Sequence, residues 1–290
     1  MPAAARIERA LELALKSAER SDSPPRLAEA MHYAVFPGGA RVRPKLTLAV
    51  AGALGADNPA LLDAAVAAIE FMHCASLVHD DLPCFDDAAI RRGKASVHTA
   101  FDERLAVLTG DALLVLAFDT LARGGVRSPE RLGPSVAALA RGIGAPAGII
   151  AGQAWECEAD IPLTRYQRQK TGALFVAATE IGATAAGADP APWSMLGQRM
   201  GEAYQVADDI LDLTADPEEI GKPVGRDAAL KRPNAALEYG MSAAEVHLKA
   251  FVAEAIAAIP PCAGEDRLRK LIAHEAQAFM DYALLKAAAA

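Results

Sequence analysis

At Ser23-Pro24, Asn58-Pro59, Ser128-Pro129 and Asp189-Pro190 this chain sets a small polar residue directly before a proline. Ser, Asn and Asp cap helix starts by accepting from backbone N–H groups that lack an intrahelical partner. Proline at the first helical position gives up a donor that had no partner anyway. Thr164-x-x-Gln167 and Ser242-x-x-Glu245 have the spacing of capping boxes, and Gly55, Gly221 and Gly240 stand where helices would stop. Between these marks apolar residues return at helical intervals, as in Ile7, Leu11 and Ala14, without strand signals. Aromatic residues make up only 5% of the chain, while alanine and leucine, which lose little on entering a helix, are plentiful. The expectation is an all-α fold, a bundle of roughly ten or more helices. No Gly/Ser/Pro-rich linker divides it, so residues 1–290 read as one domain. Ala64 to Val78 and Thr171 to Thr184 are apolar on more than one side, which places them inside the bundle.

Charge narrows the partners. Lys and Arg number 29 against 37 Asp and Glu, a net −8, with no basic run to grip nucleic acid. The longest uncharged stretch, Gly142 to Trp155, is 14 residues long and broken by Gly and Pro. That falls short of the ~20 apolar residues of a membrane span. The N-terminal segment carries acids and bases at helical spacing rather than the apolar core of a signal peptide. Cys74, Cys84, Cys157 and Cys262 form no CxxC pair, and the reading is a cytoplasmic protein.

Two aspartate clusters break this bland pattern. HDDLPCFDDAAIRRG holds Asp80, Asp81, Asp86 and Asp87; QVADDILDLTAD holds Asp208, Asp209 and Asp212. Both follow apolar stretches, and carboxylates so crowded repel one another unless a cation joins them. Oxygen ligands without thiolates point to Mg²⁺ or a similar hard ion. Asp208 and Asp212 differ by about 40° around an ideal helix and about 6 Å along it, so they share a face. Asp80 and Asp86 would stand about 120° apart on an unbroken helix. Pro83 between them predicts a kink or bulge that brings Asp86 round. A lone DDxxD is most often a solvated helix end. Two of them, more than a hundred residues apart and each beside an apolar helix, favour a shared site. Arg91-Arg92-Gly93 follows the first cluster, and paired arginines suit bidentate recognition of a diphosphate. His79 and His98 read as satisfied packing groups, as do Cys84 and Phe85.

FPGGARVRP, DDLPCFD with its RRG, GIIAGQ, KTGALF, and QVADDILD followed by GKPVGRD occur in one order along the chain. In this the chain resembles the trans-prenyl diphosphate synthases (polyprenyl synthetases) over nearly its whole length. It is most similar to bacterial geranylgeranyl diphosphate synthases of the carotenoid and bacteriochlorophyll type. The resemblance implies the isoprenoid synthase fold around a central cavity, a homodimer, isopentenyl and allylic diphosphates as substrates, and about three Mg²⁺ ions. It implies that Asp80, Asp81, Asp86, Asp208, Asp209 and Asp212 hold the metal, and that Arg91 meets the allylic diphosphate. Arg92, Arg43 and His73 would contact isopentenyl diphosphate. Lys170, Thr171, Gln205 and Lys222 would contact the allylic substrate, with Lys170 also facing the departing charge.

Departures from the pattern are local. GGARVRP has Ala40 where the family usually has a lysine, and GKPVGRD has Arg226 where lysine is common. Lys231-Arg232-Pro233-Asn234 replaces a lysine-threonine-tyrosine-proline stretch, with Arg232 keeping a positive charge there. Farnesyl synthases similar to this chain carry an aromatic residue five positions before the first aspartate. Here that residue is Ala75, beside Ser76, with Met72 and Phe71 a turn further back. The implied product is C20, with the C15 farnesyl product as the alternative. A class I terpene cyclase would carry a different second metal motif, and a non-catalytic regulatory subunit would have lost aspartates; neither applies here.

Overall fold

The computed structural model describes residues 1–19, 22–214 and 234–289. Helices α1 (Ala3–Ala18), α2 (Pro25–Val35), α3 (Val42–Ala53) and α4 (Pro59–Asp80) lead to a short hairpin of β1 (Ile90–Arg91) and β2 (Lys94–Ala95). Then come α5 (Val97–Ala100), α6 (Glu103–Gly124), α7 (Pro129–Ile143) and α8 (Ile149–Ala154), which runs into a 3₁₀ turn at Trp155–Cys157. α9 (Leu163–Gln167) passes through a π-helical turn, Arg168–Gly172, into α10 (Ala173–Ala185). α11 (Ser194–Thr214), α12 (Ala235–Tyr239), α13 (Met241–Ala257) and α14 (Glu265–Ala289) complete the described chain.

α4 and α10, the two helices read as apolar all round, form the centre. α4 packs on α6, α3, α1 and α10, while α10 packs on α7, α11 and α3. Ile69, Phe71 and Met72 on α4, with Leu174, Phe175 and Ile181 on α10, are fully buried. Each such side chain stabilises the fold by about 1.5–3 kcal/mol relative to exposure. One contiguous apolar core runs from Ile7 on α1 to Ala283 on α14.

The helix signals divide. Asn58 caps α4 as expected, its side chain accepting from Leu61 N at 3.0 Å with Pro59 behind it. The two capping boxes do not form: α9 starts at Leu163 and α13 at Met241, two residues early, so Thr164 and Ser242 lie inside their helices. α2 starts at Pro25, one residue past the expected proline. Gly55 and Gly240 end helices at φ +71° and +86°; Gly221 lies outside the described residues. The hairpin was not foreseen, because two residues per strand carry no readable alternation. Its turn uses Arg92 and Gly93, both at positive φ (53° and 73°), the left-handed pair a two-residue turn requires.

α4 and α6 are each long and apolar enough to cross a membrane, which no single uncharged stretch had indicated. In α4, 78% of the apolar window is buried inside the bundle, which accounts for it as core. In α6 the share is 44%, and Leu108 and Val115 are exposed on its outer side.

Candidate active site

The aspartate-bearing ends of α4 and α11 open on one cavity of about 410 Å³. α4 presents Glu70, His73, Ser76, Leu77 and Asp80 to it, a helical stripe. The helix ends at Asp80 instead of kinking through Pro83, and the chain folds back on itself. Asp86 N donates to Asp80 O at 2.8 Å, Asp87 N to Leu82 O at 3.0 Å and Ala88 N to Asp81 O at 3.1 Å. This return places Asp86 beside Asp80 on the cavity wall. It also turns Cys84 and Phe85 outward. Both are exposed, Phe85 by 38%, so the reading of these two as packing groups is corrected.

α11 contributes Tyr204, Gln205, Asp208, Leu211 and Asp212, so the i, i+4 pair does share the cavity face. The second aspartate of each cluster goes elsewhere. Asp81 is not among the lining residues; Arg91 forks onto it, Nε to Oδ1 at 2.9 Å and Nη2 to Oδ1 at 2.5 Å. Asp209, 1% exposed, accepts from Gln167 Nε2 and Gln205 Nε2 at 2.7 Å each and from Ala235 N at 2.8 Å.

Cations line the same space. The hairpin delivers Arg91 from β1 and Arg92 from its turn, and Arg43 enters from the first turn of α3. Arg43 is buried, stacked 4.5 Å from the Phe175 ring centroid, and its Nε has no hydrogen-bond partner among the described residues. A buried donor left unmade is costly, and an anionic ligand oxygen would satisfy it. His73 is held well below the ordinary imidazole range by burial first and then by Arg43, Arg92, Arg91 and Arg41, so it is neutral at pH 7. Ala40 lines the cavity where the family lysine would stand.

Lys170 and Thr171 reach the cavity from the π-helical turn, whose extra residue re-aims side chains that a regular helix would direct elsewhere. Thr171 Oγ1 donates to Gln205 Oε1. The turn rests on Gly152 of α8, where a Cβ would stand 2.2 Å from Lys170 N, so only glycine fits. Burial holds Asp80 above the ordinary carboxylate range; Lys170 opposes this, and Asp86 and Glu156 add to it.

Several participants escaped the sequence reading. Glu70, 1% exposed, accepts from Arg41 Nη1 at 2.6 Å and stands 4.0 Å from Arg92 Nη2. Arg41 also holds Glu8 at 2.9 Å and Val35 O at 2.8 Å, pinning the loop before α3. A single acid inside the apolar run from Ala64 to Val78 was the available signal for Glu70. Gln153, Glu156 and Tyr166 also went unread, although Glu156 is the charge that ends the uncharged stretch. His79 and His98 behave as packing groups: His79 Nε2 lies 3.2 Å from Val107 O, and His98 Nδ1 lies 3.0 Å from Ser96 Oγ. Phe71, Met72 and Ala75 are fully buried in the core and do not line the cavity, whereas Ser76 does. Lys222, Arg226 and Arg232 lie outside the described residues.

The sequence pattern described as Polyprenyl synthetase matches residues 24–273. The chain belongs to the polyprenyl synthetase family. Among the relatives of this polyprenyl synthetase is the geranylgeranyl diphosphate synthase of Cereibacter sphaeroides, 54% identical over 272 residues that cover 94% of each chain. The enzyme of the same name from Rhodobacter capsulatus is 51% identical, covering 95% of this chain and 96% of its own. A geranyltransferase structure from Helicobacter pylori, complexed with magnesium and isoprenyl diphosphate, superposes with a TM-score of 0.78 at 28% identity. That match covers 99% of this chain and 98% of the other.

Proposed function

We propose that this polyprenyl synthetase is a geranylgeranyl diphosphate synthase. It condenses isopentenyl diphosphate head to tail with an allylic diphosphate (dimethylallyl, geranyl or farnesyl) to a C20 product. The observation that carries this reading is that two carboxylate pairs, Asp80/Asp86 and Asp208/Asp212, share one cavity with Arg43, Arg91, Arg92 and Lys170. High identity to two synthases of that name supports the choice of product.

The donor set suits Mg²⁺. Among the described residues no three carboxylate, histidine or cysteine side chains converge closely enough to hold an ion alone. Mg²⁺ is usually held by one or two carboxylates together with substrate phosphate oxygens, which two facing pairs provide. Asp80, Asp86, Asp208 and Asp212 are the ligands in this reading, serving about three ions. Bound there, the metal supplies Lewis-acid stabilisation of a diphosphate leaving group. Asp81 and Asp209, expected as ligands, are reassigned to holding Arg91 and the Gln167–Gln205–Ala235 cluster.

The remaining steps fall to the chain's own side chains. Arg91 binds the allylic diphosphate, and Lys170 offsets the negative charge that develops as the allylic C–O bond breaks. Thr171 and Gln205 line the path of the allylic carbon, and Lys222 and Arg232 are assigned to the same diphosphate. Arg43, Arg92 and neutral His73 orient isopentenyl diphosphate so that its double bond meets the allylic cation. A new C–C bond forms, and a proton leaves to the diphosphate released in the first step. Leu77, Ile149 and Leu211 line the cavity and keep water from trapping the cation. Ser76, a small residue on the wall, leaves room for the growing chain.

Residues 1–290 act as one domain in this reading, and the exposed apolar side of α6 is the face of a homodimer. The four cysteines are free, consistent with a reducing cytoplasm. Incubating the purified protein with labelled isopentenyl diphosphate, each allylic primer and Mg²⁺ tests the proposal. A C20 diphosphate is the expected product; mainly C15 product, or no condensation, would overturn it.

A further inference from the structure

Lys170 is shared between two acids, and only one of them lines the cavity. Its Nζ lies 2.5 Å from Glu156 Oε1 and 3.4 Å from Asp80 Oδ2. Glu156 stands behind the wall, in the 3₁₀ turn after α8, and Tyr166 OH donates to the same Oε1 at 2.7 Å. The Glu156 and Asp80 side chains are each 10% exposed and that of Lys170 18%, so solvent screens these charges little. The same segment steadies both partners. Gln153 Nε2 donates to Asp80 Oδ1 at 3.0 Å, and Trp155 Nε1 donates to Gln169 Oε1 at 2.6 Å, next to Lys170.

We infer that Glu156 is a positioning residue that holds the Lys170 ammonium off Asp80. The inference rests on the synthase reading above. Two acids compete for one ammonium, and the shorter contact is to the acid outside the cavity. With the Glu156 charge removed, Lys170 would close the 3.4 Å gap and pair with Asp80. An oxygen of Asp80 would then be taken from the diphosphate–Mg²⁺ assembly, and the ammonium would leave the place where charge develops. Tyr166 fixes the direction of the carboxylate, so Glu156 works as an oriented anchor.

The test is a double-mutant cycle on the full chain with Glu156→Gln, Lys170→Met and the pair, together with Glu156→Asp. Turnover is followed with isopentenyl diphosphate and an allylic primer. Binding of a non-ionising allylic thiodiphosphate with Mg²⁺ is followed by calorimetry. A charge-assisted hydrogen bond is about twice as strong as a neutral one, so Glu156→Gln should lower kcat and weaken thiodiphosphate binding by about tenfold each. KM for isopentenyl diphosphate should stay within about twofold, since Arg43, Arg92 and His73 are untouched. Glu156→Asp should recover most of the loss, and Glu156→Gln should add nothing in the Lys170→Met background. Wild-type binding and kcat in Glu156→Gln, or losses that add to those of Lys170→Met, would overturn the inference. Should Glu156→Gln fail to fold, Tyr166→Phe replaces it, with a smaller loss that again vanishes beside Lys170→Met; an additive loss there is equally fatal. An unmutated protein that condenses nothing would instead overturn the synthase reading.

Discussion

Replacing Asp209 by alanine separates the two adjacent carboxylates of the second cluster. Asp209 is buried and accepts from Gln167 and Gln205 side chains and from Ala235 N. Its removal leaves the Ala235 N–H, buried at the start of α12, without that acceptor, while the glutamine amides turn to weaker ones. A stranded buried donor costs about 1–3 kcal/mol, and the two lost charge-assisted bonds bring the expected total to about 3 kcal/mol. For a chain of 290 residues the unfolding entropy is about 0.6 kcal/mol per degree, so the melting temperature should fall by about 5 °C. Asp208→Ala removes a partly exposed carboxylate from beside Asp212 and relieves repulsion; it should shift melting by less than about 2 °C. Thermal melts followed by circular dichroism at the helix band, with the condensation assay in parallel, distinguish the two. Asp208→Ala should be folded and inactive, while Asp209→Ala should keep measurable turnover at reduced stability. A larger melting loss for Asp208→Ala than for Asp209→Ala would refute the division of labour read from the site.

Chelating Mg²⁺, or replacing Asp80 by alanine, should abolish condensation while the melt stays cooperative; residual turnover with excess chelator would contradict the metal reading. Ala40→Lys restores a cation on the cavity wall, and KM for isopentenyl diphosphate should fall by about three- to tenfold at unchanged kcat, measured by steady-state kinetics. Ser76→Tyr should shorten the product from C20 to C15 by chromatography. Ala75→Tyr, by contrast, overpacks a fully buried position and should cost about 1–3 kcal/mol of stability. A clean C15 product from a stable Ala75→Tyr protein would return the chain-length floor to that residue.

Much of the architecture was legible because helix starts, stops and apolar periodicity are local. Asn58-Pro59 opens α4 as read, and Ala64–Val78 and Thr171–Thr184 lie at the centre as their all-round apolarity required. The unread parts depend on distant neighbours. Glu156 gains meaning only beside Lys170, 14 residues on, and Glu70 only beside Arg41, 29 residues back. The capping boxes failed because Pro162 and Gly240 took the cap positions two residues earlier.

What the sequence determined by itself was a helical chain with two crowded aspartate clusters, and the shared face of Asp208 and Asp212. Which carboxylate of each adjacent pair serves the cavity was decided by the tertiary structure alone. Neighbouring residues on a helix point about 100° apart, so Asp208 and Asp209 cannot face the same space. Their spacing cannot say which one turns inward. The hairpin that brings Arg91 to Asp81, and the start of α12 that brings Ala235 to Asp209, make that choice. Each buries one acid against a donor and leaves its neighbour on the cavity, because a buried carboxylate must have a partner.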